Sequence, residues 1–256
     1  MQSHRKSKNK MDEHKRNIVI PGEVIVEGDS YLPGEGTEKQ GKNIVAQRYG
    51  LAEEAGKLVK VIPLSGVYHP RRGNIVIGKC NLITFNGWVI DIGTAENAFL
   101  PLMETPKFVA KDRLDEVMKI GDLAVVQIFS VNTRGIDLTI KSRGLGRIDE
   151  GIVFKVNSNK VPRVIGKEGS MIKLIRDYTN CNITVGQNGY IWIKGDKIDD
   201  ELFAKRAVLF ITEKSYLEGL TEKVEEWFKK NGGVKKETKK LEIKSENFDE
   251  GEENVN

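Results

Sequence analysis

The chain has 256 residues, 39% hydrophobic and 30% charged, with a formal net charge of only +4. That length can bury more than one core. No apolar run approaches membrane-spanning length and the N-terminus lacks the apolar segment of a signal peptide, so membrane and secreted classes are excluded and a cytoplasmic protein is expected. Cys80 and Cys181 lie about a hundred residues apart with neither disulfide-framework nor metal-ligand spacing, which fits a reducing compartment with idle thiols.

Residues 1–17 carry Arg5, Lys6, Lys8, Lys10, Lys15 and Arg16 with almost nothing apolar, the composition of a disordered basic arm. Residues 18–67 change to short β-rich runs (Ile18 to Ile20, Val24 to Val26, Asn43 to Ala46, Leu58 to Leu64) punctuated by Pro21-Gly22 and by Pro33, Gly34 and Gly36. A small β domain built on hairpins is expected. The glycines from Gly28 to Gly36 are read as turns, because no lysine and helix follow where a phosphate loop needs them.

Over residues 68–147 the runs lengthen: Asn74 to Thr84, Gly87 to Gly93, Ala98 to Leu102, Asp122 to Val131 and Gly135 to Lys141, with a short helical insert near Asp112 to Lys119. Five strands with a helix before the fourth predict a five-stranded OB barrel.

Residues 151–230 are organised around Val161 to Arg176. An apolar half-turn leads into Gly166-Lys167-Glu168-Gly169, and then Met171, Ile172, Ile175 and Tyr178 recur on one helical face. Two glycines three apart let the backbone turn tightly and approach a ligand closely. A helix opening at Gly169 or Ser170 aims its free amides and positive dipole end at that loop, a setting that suits phosphate. Arg163, Lys167, Lys173 and Arg176 crowd the same stretch, and from Lys141 to Arg176 there are nine Lys or Arg against three acids. A backbone with several phosphates fits that density better than a single anion.

After this comes a hairpin, Asn182 to Gly186 and Tyr190 to Gly195 around an Asn-Gly turn. Helical periodicity follows from Asp199 to Lys230, interrupted at Gly219, with Trp227 and Phe228 placed for core packing or for a partner. Residues 231–256 mix lysines with a terminal acidic cluster and are expected to be a disordered tail.

The order helix, Gly-x-x-Gly, helix, hairpin, helix resembles the KH domain, whose loop clamps about four nucleotides of single-stranded RNA or DNA. That resemblance implies an α/β KH fold with RNA at Arg163, Gly166, Lys167, Glu168, Gly169, Lys173 and Arg176. The stretch Gly78 to Gly93, with Lys119 to Val125 and Ile136 to Lys141, resembles the RNA-binding S-one type of OB domain. There Phe85 and Trp88 match two base-stacking aromatics and Arg134 loosely matches a basic residue near the last strand. Trp88, beside Val89, Ile90 and Ile92, reads equally well as a core residue.

A small β domain, an S-one domain and a KH domain in that order, with Gly186-Gln187-Asn188-Gly189 at the hairpin, resemble the archaeal RNA-binding cap subunits of the exosome, the ribosomal-RNA-processing-protein-four type. In that family the Gly-x-Asn-Gly signature is structural and sits where the OB and KH domains meet. The resemblance implies single-stranded RNA as ligand, and as partners a hexameric ring of phosphorolytic ribonuclease subunits and the other members of a trimeric cap. It implies a cap that guides RNA 3′ ends into the ring, with the N-terminal β domain supplying much of the ring contact.

No enzyme chemistry is legible. His4, His14 and His69 are scattered, no His/Cys/carboxylate group has metal or nucleophile spacing, and no acids are placed to hold two metal ions. Neither catalysis nor a cofactor is expected. A free-standing RNA-binding regulator of translation or RNA maturation is the alternative these modules leave open.

Overall fold

The computed structural model describes residues 17–235 save Asp112, Tyr216 and Glu218. The basic arm and charged tail expected at the ends lie outside the described residues, with two exceptions. Asn17 already pairs in a strand, and 231–235 fold back on the last helix, where Gly233 N–H donates to the Phe228 carbonyl at 2.8 Å and Lys235 Nζ lies 2.8 Å from Glu225.

The N-terminal region holds β1 (Asn17–Val19), β2 (Val24–Glu27), β3 (Leu32–Pro33), β4 (Thr37–Gln40), β5 (Asn43–Ala46), β6 (Gly50–Ala55) and β7 (Leu58–Pro63). They form two small sheets, in the orders β1-β6-β7-β3 and β2-β5-β4. Val19, Ala46, Ala52 and Val61 form a cluster with Ile25 against it, a thin core that matches such short strands. Strand β6 was not anticipated, because Leu51, Ala52, Glu53, Glu54 and Ala55 are helix-favouring residues. Pairing to β1 on one side and β7 on the other overrides that preference.

The central barrel is built from β8 (Ile75–Thr84), β9 (Gly87–Asp91), β10 (Ala98–Pro101), β11 (Leu123–Asn132) and β12 (Gly135–Thr139), with helix α1 (Leu114–Val117) before β11. Strands β8, β9 and β10 form a meander. Strand β10 then pairs in parallel with β12, β12 pairs with β11, and β11 returns to β8, which closes the barrel as expected. A sixth strand, β13 (Gly146–Ile148), extends β11. Trp88, Ile90, Leu100, Met118, Ile128 and Leu138 are among the side chains that fill the interior.

The C-terminal domain runs β14 (Ile152–Lys155), α2 (Val161–Ile165), α3 (Ser170–Thr179), β15 (Asn182–Val185), β16 (Tyr190–Lys194), α4 (Ile198–Glu213) and α5 (Leu220–Lys230). Its antiparallel sheet, in the order β14-β16-β15, packs Ile183, Ile191 and Ile193 against Val164, Ile175, Ala207 and Ile211 of the helices. Phe228 is fully buried and stacks on Tyr178 at 4.5 Å, while Trp227 stacks between Phe203 and Phe210, so this aromatic pair serves the core. Cys80 and Cys181 are both buried, and neither forms a disulfide.

The barrel and this domain are joined by the β15–β16 turn. Pairing of β8 with β9 ends at Lys79 and Asp91, so Ile77 and Ile92 lie past the last rung with polar backbone groups to satisfy. The Asn188 side chain, only 3% exposed, fills that gap: Nδ2 donates to the Ile77 and Ile92 carbonyls, each at 2.8 Å, and Oδ1 accepts from Ile77 N–H at 3.3 Å. Gln187 N–H adds a bond to the Ile75 carbonyl at 2.8 Å. Gly186 is required here for space, since a Cβ on it would stand 2.6 Å from Asn188 Oδ1 and 3.0 Å from Ile77 N.

Candidate nucleic-acid interface

Helix α2 begins with Pro162 in its first turn, where the missing N–H costs nothing, and ends at Gly166. Gly166 has φ 74° and ψ 173°, and a Cβ there would lie 2.7 Å from Met171 N and 2.8 Å from Ser170 Oγ, so only glycine fits. Glu168 (φ 53°) and Gly169 (φ 78°) are also left-handed, and no atom lies within 4 Å of a Cβ built on Gly169. The loop is thus a tight corner with open space before it, held by Gly166 N–H on the Pro162 carbonyl at 2.9 Å.

Helix α3 starts at Ser170 and directs Met171, Leu174, Ile175 and Tyr178 into the core. That choice leaves Lys173 and Arg176, three residues apart and so on one side, facing solvent. Arg163, Lys167 and Glu168 are exposed as well. All seven residues expected to meet RNA in this domain lie on one continuous α2–loop–α3 unit, with α3's first amides beside the loop.

On the barrel, Phe85 stands at the tip of the β8–β9 turn, 78% exposed and free to stack. Trp88 requires a correction. Strand residues alternate between faces, and with Val89 half-buried on the outside Trp88 turns inward, fully buried, its indole N–H donating to the Met118 carbonyl at 3.1 Å. It is a core residue and offers no face to a base.

Phe99, on β10, the third strand of the barrel, is a half-buried outward aromatic that was not counted among the residues expected to meet RNA. It lies opposite Val89 on one side and Asp137 on the other, and a Cβ on Gly87 would come within 2.9 Å of its ring edge. The signal was the alternation Ala98, Phe99, Leu100, Pro101, buried and half-buried in turn. Asp137 Oδ2 accepts from Ser130 Oγ at 2.6 Å and from Asn132 Nδ2 at 3.4 Å, while Asn132 Oδ1 accepts from Arg134 N–H at 2.9 Å. Arg134 is exposed on the turn this network shapes.

The two aromatics of the expected stacking pair therefore separate by experiment. Phe85→Ala will weaken RNA binding by about 1–3 kcal/mol while leaving the melting temperature in place. Trp88→Ala will destabilise the fold by about 3–5 kcal/mol through the cavity it leaves. Thermal melts alongside filter binding check both.

Among the described residues no group of three or more His, Cys, Asp or Glu is gathered to hold a metal ion, and no helix is long and apolar enough to cross a membrane. Residues 151–199 match the KH domain family. The chain is 38% identical over 227 residues to the exosome complex component Rrp4 of Methanothermobacter thermautotrophicus, covering 88% of this chain and 71% of that protein. It is 38% identical over 213 residues to the Rrp4 of Methanothermus fervidus, covering 83% of this chain and 95% of that one. A crystal structure of a protein assigned as an exosome complex RNA-binding protein superposes with a TM-score of 0.59 at 31% identity, covering 65% of this chain and 98% of the other.

Proposed function

This chain belongs to the Rrp4 family of exosome complex components, and from that premise we infer that it is a non-catalytic subunit which binds single-stranded RNA and delivers its 3′ end to a ribonuclease. The observation that carries the reading is the union, in one chain, of an exposed cationic Gly-x-x-Gly corner with a closed barrel bearing exposed Phe85, locked together through Asn188. The corner receives consecutive phosphates on backbone amides and on Lys167, Lys173 and Arg176. Phe85 receives a base face. Neither element activates water or a nucleophile; each holds a strand in place.

The partners in this reading are the six subunits of a phosphorolytic ring and two further cap subunits, with the N-terminal sheets against the ring, in the cytoplasm. Tagged protein pulled from its native lysate is expected to bring down activity that shortens a 3′-labelled RNA only when phosphate is present, while the purified chain leaves the RNA intact. RNA loss by the purified chain alone would overturn the non-catalytic assignment, and an inactive eluate that still holds RNA would point to a free-standing regulator. With about four phosphates held by the KH loop and a slope near −0.7 per phosphate, raising salt from 50 to 200 mM should cut affinity about fiftyfold. A slope near zero in filter binding would remove the phosphate contacts from the account.

A further inference from the structure

Where the three domains meet, a cavity of about 570 Å³ opens that none of the preceding contacts uses. Arg48 and Tyr49 enter it from the β5–β6 turn, His69 and Arg71 from the connector to the barrel, and Asn159 from the turn before α2. Tyr49 lines the cavity and is 42% exposed. Asn159 Nδ2 is buried with no hydrogen-bond partner, the lone such side-chain atom among the described residues. A buried donor left unpaired is costly, and a ligand acceptor or a bridging water repays it.

Charge and shape select the ligand class. Two arginines and a histidine face one acid, Glu35, which sits 3.5 Å from Arg71 in a pair so exposed that it holds little energy and yields easily to a competing anion. Tyr68, beside them, is already committed: its hydroxyl donates to Asn74 Oδ1 at 2.8 Å, and burial pushes its pKa up to about 12, so it stays protonated and adds no negative charge. Guanidinium groups for a phosphate, an open tyrosine ring for a base and an amide for a base edge describe one nucleotide. The volume falls within the range of pockets that hold small ligands.

The cavity also lies close to the KH corner along the chain. Asn159 lies two residues before α2, and the loop begins at Gly166, seven positions on, so at about 1.5 Å per residue it is about 10 Å away. We propose that the three-domain junction is a second RNA subsite, in which Arg48 and Arg71 hold a phosphate and Tyr49 stacks the base of a strand whose neighbouring nucleotides lie on the Gly-x-x-Gly loop. The proposal rests on the RNA-binding reading given above.

The test uses the full chain with oligouridylates of 4 and 12 nucleotides. The double variant Arg48→Ala, Arg71→Ala should bind the 12-mer about tenfold more weakly with a salt slope shallower by about 0.7, the share of the one phosphate they hold, and bind the 4-mer as before. Glu35→Gln should move the other way and tighten the 12-mer a few-fold, a change that misfolding cannot mimic. A 4-thiouridine 12-mer should crosslink to the peptide carrying Tyr49. If the wild-type chain binds neither oligomer, the RNA-binding reading itself fails. If it binds the 12-mer and only loop variants weaken it, or crosslinks stop at Phe85 and the loop, the junction subsite is wrong. Loss of a co-purifying protein from the double variant with 12-mer affinity unchanged would assign the cavity to a polypeptide and overturn the proposal equally.

Discussion

Replacing Lys167 and Glu168 together by aspartate is expected to lower affinity for single-stranded RNA by about ten- to a hundredfold and to leave the folded state within about 0.5 kcal/mol of wild type. The two halves of that expectation have separate grounds. Lys167→Asp exchanges a positive for a negative charge at the corner where phosphates approach the α3 amides, while Glu168→Asp keeps its charge, so the loop changes by two units. Stability is spared because both side chains are exposed and because aspartate accepts the left-handed backbone that Glu168 adopts at φ 53° more readily than most residues do. Titrations of a labelled oligouridylate, run beside a thermal melt, read both quantities. Unchanged affinity in a folded variant would move the RNA site away from this loop and onto the barrel.

The second large effect is on stability. Asn188→Ala removes three hydrogen bonds at once and strands Ile77 N–H, Ile77 C=O and Ile92 C=O in a buried seam. Each such orphan costs about 1–3 kcal/mol, part of it recovered by water entering the space left, so a loss of about 3–5 kcal/mol is expected. Asn188→Asp should be worse, since it turns a carboxylate toward two carbonyl oxygens that the amide had donated to. Denaturant unfolding should also change character: wild type unfolds the barrel and KH domain together, and either variant separates them into two transitions. A single transition within 1 kcal/mol of wild type for Asn188→Ala would show that the seam does not couple the domains.

Much of this architecture is legible in the chain before any coordinates. Alternation and turn residues mark the five barrel strands, and the apolar spacing after Gly169 marks α3, because both signals report a face turned to a core. What stays hidden is whatever depends on distant pairing. Strand β6 is written in Leu, Ala and Glu, and only the presence of β1 and β7 on its flanks makes it extended. Trp88 and Phe85 are three positions apart in one aromatic-bearing run, yet one register decision puts the first inside and leaves the second in solvent.

The candidate site divides in the same way. The Gly-x-x-Gly corner is local, so its glycines announce it: Gly166 has no room for a Cβ and Gly169 has a left-handed φ. The junction cavity is invisible in sequence because Arg48, His69, Arg71 and Asn159 are drawn together from separate domains. Phe99 was left off the expected RNA face because its partner across the sheet is Asp137, which joins it through a parallel pairing that no hairpin signal foretells.

The Asn188 seam also bears on how the protein is made. A barrel that borrows its last rung from a turn 111 residues downstream cannot finish its wall when its own strands leave the ribosome. From the end of β12 at Thr139 to Asn188 is 49 residues, so at roughly 5–20 residues per second that rung arrives about 2–10 seconds later. Until then the nascent barrel carries an open slot between Ile77 and Ile92, and the hairpin that fills it completes the barrel's wall before the KH domain has received its own last two helices, α4 and α5.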